Sequence, residues 1–177
     1  MKVDLNYLVD TYKLNAPHAA ARDIRNYFEQ HWNFTLSYNG FVQAKERPRA
    51  SKGGKMFTPP KTRAFEKAVE NWAKEEWTDS PLIYPIRVEL LVYDETANKE
   101  LVEHSTLGLV YHHKNDVDNL GKSVLDGMNG VVYKDDKQIV DLRISRHYGR
   151  PAGFDVIISR AGLTKLEYTN FCKRMKK

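Results

Sequence analysis

The clearest rhythm along the chain has a period of two. Ile86, Val88, Leu90 and Val92 take every second position, which predicts a strand with one buried face. Val140, Leu142 and Ile144 alternate with Asp141, Arg143 and Ser145, giving a second strand with one polar face. A turn over Gly149–Gly153 leads to a returning strand carrying Phe154, Val156 and Ile158. Phe34 to Ser37 reads as a short strand closed by the turn signal Asn39-Gly40, and Leu107 to Tyr111 as another. Three segments carry the helical period instead. Pro17 opens a helix to about His31, with Ile24, Tyr27, Phe28 and His31 on one side. Thr62 is placed as the N-cap of a helix from Arg63 to about Trp77, whose stripe of Phe65, Val69, Trp72 and Ala73 belongs to the core. From Val117, residues Val117, Leu120, Val124 and Met128 share one face, and Asn129-Gly130 stops the helix. Glu95–Glu103 reads as a polar loop, and the basic tail Lys173–Lys177 as a solvated end.

The polar flank of that third helix is the unusual part. Asp118, Lys122 and Asp126 stand four residues apart, so they stack on successive turns, and Asp116 lies just before the helix. Val131 to Tyr133 then carries the chain to Asp135-Asp136. Two unit charges about 4 Å apart repel by about 4 kcal/mol at an effective dielectric of about 20, so gathered acids are costly without a cation. Mg²⁺ takes oxygen ligands, commonly one or two carboxylates with water and substrate phosphate. Such an ion lowers the pKa of an attacking water and stabilises the leaving oxygen, while Lys122 is placed to neutralise charge in the transition state. Each member taken alone has a plainer role: Asp118 as an N-cap, Lys122 as a partner for Asp126, Asp135-Asp136 as a solvated turn, His112 and His113 as surface residues. Asp141, projecting near the acids, is a candidate outer group.

Charge sharpens this picture. The chain has 177 residues, 41% hydrophobic and 29% charged, enough for one domain with an ordinary core. Its 28 Lys+Arg against 23 Asp+Glu give +5, a mild preference for a polyanionic partner. The excess is concentrated between Lys45 and Lys55, where Lys45, Arg47, Arg49, Lys52 and Lys55 accompany the single acid Glu46. Gly53-Gly54 is expected to leave the tip of this loop mobile, and its long cations suit a phosphate backbone. The one cysteine, Cys172, excludes an internal disulfide and a cysteine zinc site. No apolar run suits a membrane helix and the first residues lack a signal-peptide pattern, so a cytosolic place, on the nucleoid, is expected.

The motif Asp116-x-Asp118-Asn119-Leu120-x-Lys122, followed by Asp126, Asn129-Gly130 and Val132-Tyr133-Lys134-Asp135-Asp136-x-Gln138-Ile139-Val140, resembles the RusA family of Holliday-junction resolvases. Lys45-x-Arg47-Pro48-Arg49 and Phe57-Thr58-Pro59 are similar to the family's N-terminal basic segment, and the resemblance covers roughly Phe34 to Arg160. It implies an α+β fold, a small mixed β-sheet packed with helices, with residues 1–32 as a helical extension to an endonuclease domain of residues 33–177. It also implies a homodimer that nicks four-way or other branched DNA symmetrically, with Mg²⁺ as cofactor and Mn²⁺ able to substitute, and a phage or prophage origin is in keeping with it. By motif position Asp116, Asp118 and Asp136 match the metal-binding acids, Asp135 is an acidic neighbour, and Lys122 matches the essential lysine. Two other readings stay open: a branched-DNA-binding protein without catalysis, and a sugar transferase using Asp116-x-Asp118 for metal.

Overall fold

The period-two run at Ile86 builds the strand on which the molecule is assembled. In the computed structural model, which describes residues 2–14, 17–51, 53–108, 116–149 and 151–176, this strand is β4 (Ile86–Glu95). It is preceded by α1 (Leu5–Leu14), α2 (Pro17–His31), β1 (Asn33–Asn39), β2 (Arg49–Ala50), β3 (Met56–Phe57) and α3 (Pro60–Glu76). It is followed by α4 (Lys99–Thr106), α5 (Val117–Met128), β5 (Ile139–Gly149), β6 (Gly153–Arg160) and α6 (Lys165–Met175). The main sheet has the order β1-β6-β4-β5; β4 and β5 run parallel and the other pairs antiparallel. The result is an α+β fold with a small mixed sheet, as the sequence implies.

Because side chains alternate across a strand, β4 sends Ile86, Val88, Leu90 and Val92 to one face, where all four are fully buried. Cross-strand neighbours continue that face, Val88 opposite Ile158, Leu90 opposite Val156 and Val92 opposite Phe154. Helices α3 and α5 cover it with Phe65, Val69, Ala73, Leu120, Val124 and Met128. The other face carries charge, with Arg87 Nε donating to Asp141 Oδ2 at 2.6 Å and Arg87 Nη1 to Glu29 Oε1 on α2 at 2.6 Å. Asp141 is therefore an anchor for Arg87 and α2, not an outer group of the acid cluster. The Arg87 guanidinium beside it holds its carboxyl below the usual carboxylate range.

Several local expectations are corrected. The strand carrying Phe154 does not pair with β5, because β4 lies between them. Glu95–Glu103 is not all loop: Asn98 accepts hydrogen bonds from the Glu100 and Leu101 amides and starts α4. Leu107 and Gly108 close that helix as a turn, and residues 109–111 lie outside the described residues. Helix α3 begins two residues before Thr62, at Pro60, where a missing N–H costs nothing. Thr62 is buried inside the helix and its Oγ1 accepts the Glu46 N–H at 3.1 Å. Val140 falls where the β4–β5 register shifts and stays exposed, and Leu142 is exposed because β5 is an edge strand. Val117 is exposed too, one turn ahead of the buried face of α5.

A second apolar cluster joins the two chain ends. Leu8, Tyr27, Phe28 and Trp32 are buried together, with Ile24, Phe34, Tyr84, Leu163 and Phe171 packed against them. At its centre lies Arg160, only 4% exposed, its guanidinium over the rings of Phe28, Trp32 and Tyr84 at 5.4, 5.2 and 4.3 Å. Glu167 on α6 is its ion-pair partner and also closes the capping box with Thr164. The tail is thus a helix tied back to α1, with Arg174 donating to Asn6. Among the described residues no helix is long and apolar enough to cross a membrane.

Candidate active site

Helix α5 brings the acids out of the core. Its buried side carries Leu120, Val124 and Met128, together with the small residues Gly121, Ser123 and Gly127, which let it sit close to β5 and α3. The opposite flank carries Asp118, Lys122 and Asp126, all exposed. Lys122 Nζ lies 3.1 Å from Asp118 Oδ2, each side chain 60% exposed, and the ammonium holds the Asp118 carboxyl below the usual carboxylate range. Asp116 occupies the N-cap position but does not cap the helix. Its Oδ2 instead accepts from Asn119 Nδ2 at 3.3 Å. Both acids stand at the N-terminal end of α5.

Asp135 and Asp136 stand on a turn anchored to α5 by a buried tyrosine. Tyr133 is fully buried and its hydroxyl donates to the Leu125 carbonyl at 2.7 Å, which fixes the following turn to α5. Burial first, then the charges of Asp126 and Asp136, push its phenol pKa far up, so it remains a donor. Gln138 holds the turn from the other side, donating to the Leu82 and Tyr84 carbonyls at 2.8 and 3.0 Å. Asp135 caps the 3-10 turn Asp136–Gln138, accepting the Lys137 N–H at 3.0 Å. That amide, and the neighbouring Asp136 side chain, keep the Asp135 carboxyl below its ordinary range.

The basic segment is bonded to the same helix. Ser123 Oγ donates to the Gln43 carbonyl at 2.6 Å, and the Lys45 N–H donates to the Asn119 carbonyl at 2.8 Å. The Lys45 ammonium pairs with Asp126 and lies 3.1 Å from Glu66 Oε1 on α3. Burial opposes the Lys45 charge, but the two carboxylates outweigh it and raise its pKa. Lys45 thus joins α3 and α5, whereas the sequence placed it on phosphates and offered Lys122 as a plain alternative partner for Asp126. Beyond it the chain forms the antiparallel hairpin β2–β3. Arg49 Nη2 pairs with Glu46 Oε2 at 3.1 Å in the open. Among the described residues, Arg47 and Lys55 have no carboxylate within ion-pair distance. Lys52, like His112 and His113, lies outside the described residues.

The structure thus brings the pair Asp116 and Asp118, with Lys122, to one end of α5, and the pair Asp135 and Asp136 to a turn fastened at Leu125. Among the described residues no three Asp, Glu, His or Cys side chains converge closely enough to enclose an ion by themselves. The donor chemistry fits a hard cation all the same. All four donors are carboxylates at accessible positions, and Mg²⁺ is commonly held by one or two of these with substrate phosphate completing the shell. Glu66 escaped the sequence reading and Thr62 was read only as an N-cap, because both act across elements, on partners 16 or more residues away, for which no local pattern exists.

Comparison with known proteins adds two findings. The chain is similar to an uncharacterized protein, YqaN, of Bacillus subtilis (strain 168), with 33% identity over 124 residues that cover 65% of this chain and 87% of that protein. The family description Endodeoxyribonuclease RusA matches residues 39–159. The matched span holds the hairpin, the acid-bearing helix and the Asp135-Asp136 turn, all the parts gathered around α5, and the chain belongs to the RusA family of Holliday-junction-resolving endodeoxyribonucleases.

Proposed function

We propose that the protein is a homodimeric, Mg²⁺-dependent endonuclease that resolves Holliday junctions or other branched DNA by paired symmetric nicks. One observation carries this reading. Asp116, Asp118 and Lys122 share the exposed flank of a helix to whose backbone the root of the cationic hairpin is bonded, so a phosphate held by the hairpin is offered to that flank. Asp116, Asp118 and Asp136, with Asp135 beside them, are the residues that would hold Mg²⁺ or Mn²⁺. The ion, when bound, supplies an activated water and stabilises the leaving oxygen.

The protein's own groups do the rest. Arg47, Arg49 and Lys55 grip the backbone, and the Arg49–Glu46 pair, largely open to water, is weak enough for a phosphate to displace. Lys122 exchanges Asp118 for the negative charge growing on the phosphoryl oxygens. Lys45 and Glu66 hold α3, α5 and the hairpin root in register. A two-fold dimer presents the same site twice, as paired cuts on a symmetric junction require.

The test is a synthetic four-way junction incubated with the protein in Mg²⁺ and separately in EDTA, with products resolved on denaturing gels. Symmetric nicks are expected in Mg²⁺ alone. Asp118→Asn should bind the junction and not cut it. A wild-type protein that binds without nicking under any divalent metal, or an Asp118→Asn protein that cuts at the wild-type rate, refutes the reading.

A further inference from the structure

The hairpin carries more than charge. In an antiparallel pair, directly opposed residues share a face. Arg49 is opposite Phe57, and Ala50 is opposite Met56. One face of the hairpin therefore presents a guanidinium beside an aromatic ring, and the other a small residue beside a thioether. Phe57 is 38% exposed and Met56 64%, and neither joins either apolar cluster. Large apolar side chains on a cationic arm are costly in water unless a partner covers them.

The arm is built to hold that ring in place. At its tip the Ser51 N–H donates to the Lys55 carbonyl at 2.8 Å and the Gly54 N–H to the Ser51 carbonyl at 2.9 Å, with Gly54 at φ 77, where glycine is favoured. At its root Val42 is buried in the main core and Gln43 and Lys45 are bonded to α5. On the other side Pro59-Pro60 leads directly into α3. The chain on either side of the hairpin is thus anchored, to α5 before it and into α3 after it.

We infer that Phe57, with Arg49 at its side, is a stacking platform for an unstacked base at the branch point of the DNA, so that the hairpin selects branched over continuous duplex. This deepens the proposed function and rests on it. Bases in a continuous duplex are stacked on each other and offer no free face, whereas a branch point has base pairs with an open side. Aromatic and guanidinium planes accept such faces without regard to sequence. Arg47 and Lys55 add phosphate contacts that would be equal for either substrate.

The experiment uses the full chain in EDTA, with a four-way junction carrying 2-aminopurine at the branch point and a linear duplex of the same sequence. Wild type should raise the 2-aminopurine fluorescence. Phe57→Ala should abolish the rise and weaken junction binding by about tenfold, leaving duplex binding within about twofold. Phe57→Trp should restore both, and Met56→Ala, on the opposite face, should change neither. Melting temperatures near wild type are expected, since Phe57 lies on a two-stranded hairpin outside the main sheet. If Phe57→Ala matches wild type in fluorescence and affinity while wild type still nicks junctions in Mg²⁺, the platform is refuted and the nuclease reading stands. If wild type neither prefers the junction nor nicks it, both fall.

Discussion

Gly127 offers the sharpest test of how the site is seated. It lies where α5 crosses α3, and a Cβ there would stand 2.6 Å from Val69 Cβ, 2.8 Å from Val69 Cγ1 and 2.9 Å from the Glu66 carbonyl oxygen. Comfortable carbon contacts begin near about 3.5 Å. The obstacles are a backbone oxygen and the branched carbon of a fully buried valine, so no side-chain rotation relieves them and the helices must part. Overpacking of this kind costs about 1–3 kcal/mol, while alanine's better helix propensity returns about 1 kcal/mol. Gly127→Ala should therefore destabilise by up to about 2 kcal/mol, which for a chain of this size lowers the melting temperature by as much as roughly 8 °C. Gly121→Ala is the matched control. There the nearest obstacle is the Cδ1 tip of Ile144, which can turn away, so propensity should win and the variant should melt at or slightly above wild type. Thermal melts followed by circular dichroism decide the matter. A Gly127→Ala protein as stable as wild type, or a Gly121→Ala protein the less stable of the two, refutes the claim that backbone contact with α3 sets the position of the acid helix.

Three further outcomes are expected. Lys45→Met should leave the Glu66 carboxylate, whose Oε1 is buried, without its counter-charge and cost about 1–3 kcal/mol in urea melts. Because the folded protein raises the Lys45 pKa, the stability it contributes is full below the free lysine value of about 10.4 and is lost as pH climbs through the higher folded value. The gap between variant and wild type should thus be constant around neutral pH and narrow in strong alkali; a gap that already narrows between pH 7 and about 9 contradicts this. Arg160→Met should cost about 2–3 kcal/mol, since Glu167 and three rings lose their cation, and an unchanged urea midpoint would show that the buried guanidinium does not join the chain ends. Lys122→Ala should lower single-turnover nicking by about a hundredfold with junction affinity retained, and undiminished nicking would remove Lys122 from the chemistry.

Much of the fold was legible because its signals are local. The alternation at Ile86 to Val92, the helical stripe from Leu120 to Met128 and the stop at Asn129-Gly130 each arise from a periodicity that burial imposes on neighbouring residues. The elements missed were those whose signal is weak or competing. Helix α4 is short and polar, and only its cap Asn98 announced it. The tail's charges concealed α6, which is held through the Thr164–Glu167 box and Arg160.

The sequence by itself singled out the residues proposed to carry the chemistry: the aspartates, the lysine one turn on, and the cationic segment, because their types and spacings are written along the chain. Only the tertiary structure decided which charges meet. Lys45 went to Asp126 and Glu66, and Asp141 to Arg87, pairings made by elements far apart in sequence, which left Lys122 to Asp118 one turn away on its own helix. A charge takes the nearest partner that packing leaves within about 4 Å, and packing of α5 against α3 and β5 is a contest of volumes and backbone contacts that no one-dimensional pattern records.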